Sequence, residues 1–253
     1  MTNLVRAEWV KFASLRASWT RLAIAFALNG LFVGVALWAF NRATGDTVPD
    51  TSIAARVGTL GGGITLASLV FIVVGIAIYT NEIQSRSIIP TITAAPDRKN
   101  LIAAKALVTS LIGLAAAAVI MIITSVVVFV VLDLRDFPLA LDDEDVGRVI
   151  IGAVAYLAIA ALFGLGVGIL TNSSTGARAV GLLWPVAVES ALKGFLPDWI
   201  DRILPFEAGS ALLQTAGEHE LPAAEGGGVF LAWSAGLVIA GWALFNRRDL
   251  SNS

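Results

Sequence analysis

The chain has 253 residues, 57% of them hydrophobic and only 14% charged, with a net charge of -2 and a mean hydropathy of +0.82. Soluble domains carry about 45–50% apolar and about 25% charged residues, so this composition excludes an ordinary soluble domain. With no cysteine, the chain has no disulfide, thiolate metal site or cysteine nucleophile, and a single histidine, His219, excludes a multi-histidine metal site.

Residues 1–21 read as a helix lying along the membrane surface. On a helical wheel Leu4, Val5, Trp9, Phe12, Leu15 and Trp19 share one side, and Lys11, Ser14, Ser18 and Arg21 the other. Arg16 falls among the apolar residues, so its charge must snorkel to water. The competing reading is a plain basic flank of the first span. A cleaved signal peptide fits poorly. The run that follows, 22–40, exceeds the usual ~7–15 apolar residues of such a peptide, and more runs follow.

Six apolar runs are predicted: 22–40, 57–79, 106–132, 149–170, 177–195 and 228–245. Each approaches the ~20 residues that cross a ~30 Å hydrocarbon core. The third is long enough to require tilt. The fifth is the weakest, because it holds Pro185, Glu189 and Lys193. The expected fold class is therefore an all-α membrane protein, one transmembrane domain over 1–253. It has six transmembrane helices, an N-terminal interfacial helix and both termini cytoplasmic.

The orientation follows from the basic residues. An even number of spans puts both termini and the loop 80–105 on one side. That side holds Arg6, Lys11, Arg16, Arg21, Arg86, Arg98, Lys99, Lys105, Arg178, Arg247 and Arg248, which is 11 of the 17 basic residues. Of the 19 acidic residues it holds only Glu8, Glu82, Asp97 and Asp249. The opposite side carries Asp142, Asp143, Glu144 and Asp145. The positive-inside rule then places the termini and the loop in the cytoplasm. On the outer side, 196–227 holds Pro197, Pro205 and Pro222 and a mixed stretch too short to span. It reads as a surface or re-entrant segment.

Catalytic constellations are not apparent. No Gly-Lys-Ser/Thr occurs, so there is no P-loop. Gly164-Leu165-Gly166-Val167-Gly168 lies inside an apolar run with no strand before it. Gly164 and Gly168 read as a small-xxx-small face for close helix contact rather than as a phosphate cradle. His219, between Glu218 and Glu220, reads as a solvated loop residue. Glu189 is the one carboxylate expected at membrane depth, where a charge costs roughly 2.5–3.5 kcal/mol on insertion scales. It is either a gate or substrate-path group, or an interfacial residue paired with Lys193 one helical turn later.

The loop 80–105 is the most informative polar segment. It runs from Glu82 through Arg86-Ser87 and Ile89 to Pro96-Asp97-Arg98 and Lys105, mixing charge with apolar residues. Pro96-Asp97-Arg98 reads as a helix start, with Asp97 a candidate cap. In this order and spacing the segment resembles the first cytoplasmic loop of the type-2 class of ABC transporter permeases, the exporters of drugs, lipids and polysaccharides. That loop typically gives a Glu, a short Arg/Gly/Ser/Thr-rich helix, Pro-x-Arg, and a Lys opening the next span. Here Ile88-Ile89-Pro90 stands where the family usually has Gly-Thr. The interfacial helix, six spans, short second cytoplasmic loop and outer re-entrant segment are also similar to that family.

The resemblance implies the membrane subunit of a bacterial ABC exporter in the plasma (inner) membrane. It implies a chain with no catalysis or cofactor of its own, ATP being bound by a separate ATPase subunit. Glu82, Arg86, Ser87, Ile89 and Arg98 are the implied contacts with that subunit. A second permease chain, identical or not, and the lipid bilayer are the other implied partners; no nucleic acid is. The other classes are an ATP-independent carrier and a non-transporting scaffold or immunity-type protein.

Overall fold

The computed structural model describes residues 2–43, 53–61, 63–85, 98–134, 139–143, 145–193, 195–213 and 221–247. All regular structure among them is helical. Helix α1 is Thr2–Ser14, α2 Arg16–Ala43, α3 Ile53–Gly61 and α4 Ile64–Gln84. Helix α5 is Arg98–Asp133, α6 Val146–Thr171 and α7 Ser174–Leu183. A π-helical turn, Trp184–Val188, leads into α8, Glu189–Leu192. The short helices α9, Asp198–Asp201, and α10, Pro205–Ser210, precede α11, Ala223–Arg247.

Among the described residues, five stretches are long and apolar enough to cross a membrane: Arg16–Ala39, Arg56–Gln84, Lys99–Asp133, Val146–Thr171 and Ala223–Asn246. They make a multi-pass membrane protein the plain reading of the architecture. The run 177–195, expected as a single span, is helical without interruption from Ser174 to Leu192, as α7, the π turn and α8 in succession, though it is not among those five. Pro185 accounts for the π turn: it has no N–H to give to the preceding turn and crowds the helix there. The N-terminal segment also differs from expectation. The helix predicted over 1–21 ends at Ser14, and α2 begins at Arg16. At the break the Trp19 indole N–H donates to the Ala13 carbonyl at 2.9 Å, and the Ser14 hydroxyl donates to the Lys11 carbonyl. Side chains thereby take over carbonyls that the helix no longer satisfies. Arg16 consequently opens a spanning helix instead of sitting in an interfacial one.

Helix α6 is the centre of the bundle, and its glycines explain how close its neighbours come. A side chain at Gly164 would run into the backbone of Ile72 on α4, and one at Gly75 into the backbone of Ala161 on α6. Gly168 faces Ile76 on α4, where an added Cβ would lie 3.2 Å from its carbonyl oxygen. Gly166 is rotated by about 200° from Gly164 at ~100° per residue. Its added Cβ would lie 2.7 Å from Leu237 Cβ on α11. One glycine-rich run thus seats α4 on one face of α6 and α11 on the other. Without a hydrophobic driving force between spans in lipid, such backbone approach is a main source of contact energy. Asn172 ends α6 in the left-handed region (φ 50°), a conformation asparagine tolerates better than most residues.

Near the middle of α6, Tyr156 and Phe163 meet Phe206 of α10 and Phe230 of α11. Ring centroids are 5.0 Å apart for Phe163–Phe206 and 4.9 Å for Phe206–Phe230. This aromatic cluster fastens α10 against the bundle.

Candidate functional site

Two buried polar sites stand at opposite ends of the spans. The first joins α1, the last turn of α4 and the second turn of α5. Lys105 Nζ donates to Glu8 Oε2 at 2.7 Å and lies 2.8 Å from Glu82 Oε1. Lys11 Nζ donates to Glu8 Oε1 at 2.9 Å and to Glu82 Oε1 at 2.7 Å. Two carboxylates and two ammonium groups therefore alternate, with no net charge. Lys105 is 0% exposed, Glu8 5% and Glu82 6%. Isolated charges at such burial cost several kcal/mol each; mutual pairing is what makes the site tolerable. Burial pulls the Lys11 ammonium down, but the Glu82 and Glu8 carboxylates outweigh that and hold its pKa above the ordinary lysine value.

Local sequence explains how each member arrives. On α1, Glu8 falls four residues after Leu4 and four before Phe12, inside the helix's apolar stripe. Phe12 anchors that stripe against Val74, Val108 and Ile112. Docking α1 through Phe12 must therefore bury Glu8 as well. Lys105 lies seven residues into α5, on the side that Leu101, Ile102 and Val108 also bury. Glu82 Oε2 has no hydrogen-bond partner among the described residues. A cavity of about 50 Å³ beside the cluster is lined by Ser18, Arg21, Asn81 and Glu82, among others. It is large enough and polar enough for a water molecule.

The second site surrounds Glu189, which is 3% exposed. Its carboxylate accepts the backbone N–H of Phe206 at 3.1 Å and of Glu207 at 2.9 Å, both in the first turn of α10. It also accepts the Trp184 indole N–H at 2.9 Å. The π turn is the five residues Trp184–Val188, and its wider register brings the i, i+5 pair Trp184 and Glu189 onto one side. Pro205 opens α10 and has no N–H, so Glu189 serves the donors that follow it. The expected Glu189–Lys193 pair is not formed. Lys193 instead forms its ion pair with Glu207. The correction has a simple cause: the first turn of α10 brings its free N–H groups to Glu189, and Glu207 in that same turn takes Lys193.

Of the residues expected from sequence to contact an ATPase subunit, Glu82 lies inside the first site, facing lysines of its own chain. Arg98 is the first residue of α5. Arg86, Ser87 and Ile89 lie outside the described residues, as does His219. The structure brings Glu8, Lys11, Glu82 and Lys105 together. Sequence reasoning missed Glu8 and placed Lys11 on a solvent-facing side. The available signal was Glu8 itself, the single acid among the first 40 residues, standing in an apolar stripe. No family model matches the chain, and comparison with curated proteins gives no match.

Proposed function

We propose that this chain is the membrane-spanning permease subunit of a bacterial ABC exporter of the type-2 class, residing in the plasma membrane with six spans and cytoplasmic termini. It would move a hydrophobic or amphipathic substrate, with ATP hydrolysed by a separate subunit and a second permease chain completing the pathway. The supporting observation is the buried ion network. Glu82 and Lys105 lie on the two helices that flank the segment 86–97, and both are fastened to the surface helix α1. A push delivered to that segment would reach three elements together, as a rigid-body switch requires. In this reading Arg86, Ser87, Ile89 and Arg98 meet the ATPase, and Glu82 anchors the loop from behind. The α7–π turn–α8 unit is the fifth span in chain order and α11 the sixth.

Affinity purification of the full chain from its native membrane should bring down an ATP-hydrolysing protein. Arg86→Glu with Arg98→Glu should release that protein while the chain stays inserted. A preparation that transports after reconstitution with no nucleotide-binding protein present would overturn the reading. A reporter fused after Ser253 should be cytoplasmic and one inserted near Asp143 external; either on the other side defeats the six-span arrangement.

A further inference from the structure

We infer that the groove between α1, α2 and α5 is a binding site for one anionic phospholipid, its acyl chain lying in the groove and its phosphate at Arg16. The inference needs only that α2 and α5 cross a bilayer. The groove has a volume of about 460 Å³. Trp9 and Trp19 form its mouth, Phe26 one wall, and Ile112, Val119 and Ile123 the other. Trp9 is 46% exposed and Trp19 56%, yet the Trp19 ring is not loose. The Trp19 indole is held by Ala13, and its ring lies 6.5 Å from Phe12. The Trp19 side of the mouth is thus set before any ligand arrives.

Length selects the occupant. From Ile112 to Ile123 the groove follows α5 for about 16 Å at 1.5 Å per residue. That is close to half of a ~30 Å hydrocarbon core. A chain entering from one leaflet fills this depth, whereas a helix of a second copy would continue across the bilayer. Tryptophan at the mouth suits headgroup depth.

Charge selects the headgroup. Arg16 is exposed and precedes Trp19, Ala23 and Phe26 by three, seven and ten residues, which puts all four on one face of α2. Arg6 is exposed one turn before Trp9. Glu8, the single acid in the first 40 residues, is buried and paired with Lys11 and Lys105. The free charges around the mouth are therefore cationic, and they favour a phosphate with no compensating headgroup amine. An occupied groove would press α1 onto α2 and α5 and so favour the docked position of Glu8 and Lys11.

The test is native mass spectrometry of the full chain in neutral detergent, with equal amounts of phosphatidylglycerol and phosphatidylcholine bearing identical acyl chains. The wild type should retain one phosphatidylglycerol about fivefold more tightly than phosphatidylcholine, as one near-surface charge of roughly 1 kcal/mol provides. Arg16→Gln should bring the two lipids close to equal retention. Ala23→Trp, which fills the groove, should reduce retention of both. Ala27→Trp, exposed on α2 but outside the groove, should retain lipid like the wild type and so controls for folding. Equal retention of the two lipids by the wild type would overturn the inference. So would a preference that survives Arg16→Gln, or binding unaffected by Ala23→Trp. Loss of a chain dimer in Ala23→Trp, with lipid retention unchanged, would assign the groove to a second copy instead.

Discussion

Glu82 and Glu189 are both carboxylates buried near the end of an apolar helix, and the fold neutralises them differently. Glu82 is met by two full charges, Lys11 and Lys105, from segments far apart in sequence. Glu189 is met by N–H dipoles: two from the backbone of α10 and one from Trp184. The first solution joins three separate elements through side chains, so it depends on α1 staying docked. The second fixes the start of one short helix, with the aromatic cluster around Phe206 holding the same helix from its other side. Buried charge can thus serve as a fastener between separate elements or as a cap that positions one element, and the partner type distinguishes them.

The largest expected effect is at the first site. Lys105→Met leaves two buried carboxylates facing only Lys11 and should cost about 3–5 kcal/mol, read as a fall in unfolding midpoint in detergent and as new protease sensitivity of α1. Adding Glu8→Leu to that variant should recover much of the loss, because it removes a charge left without its main partner. If Lys105→Met is silent, the network is not formed. Glu189→Gln comes next. An amide has a single acceptor oxygen, so one set of α10 donors goes unmet, at a cost of about 1.5–3 kcal/mol. Hydrogen exchange should rise at Phe206 and Glu207 and stay unchanged in α1. A rise confined to α1 would contradict the assignment of Glu189 as the α10 cap.

Smaller effects sharpen the contrast. Lys193→Gln removes a half-exposed partner of Glu207 and should cost about 0–1 kcal/mol. A loss as large as that of Glu189→Gln would restore the Glu189–Lys193 pair that the geometry rejects. The smallest expected effect is with pH. Because the Lys11 pKa is raised in the folded chain, its contribution to α1 docking is complete below the ordinary lysine value. It is lost as pH climbs through the raised value. Between pH 7 and about 9, protection of α1 against this loss should therefore be flat, followed by a decline at higher pH that Lys11→Met removes.

Much of the architecture was legible because apolar run length is a local property. The runs 106–132 and 149–170 lie within α5 and α6, and 228–245 within α11. The spacing of Gly164 and Gly168 likewise marked a face, since helical periodicity alone brings residues four apart together. Sequence could not say that Gly166, in the same run, serves a different neighbour. That depends on α11 returning to the opposite side of α6.

The partners of the charges were decided by tertiary structure. Glu8 and Lys105 are 97 residues apart and Glu189 and Phe206 are 17 apart, so no helical spacing relates either pair. Lys193 stood one turn from Glu189, a pairing the local rule favours, yet α10 supplied backbone donors and drew Lys193 to Glu207 instead. Sequence alone made a multi-pass membrane protein the plain expectation and marked most of the stretches apolar enough to cross, because transfer energy adds along a segment. Only the folded chain decided which buried charge meets which, because a charge deprived of water takes whatever counter-group the three-dimensional arrangement brings within hydrogen-bond reach.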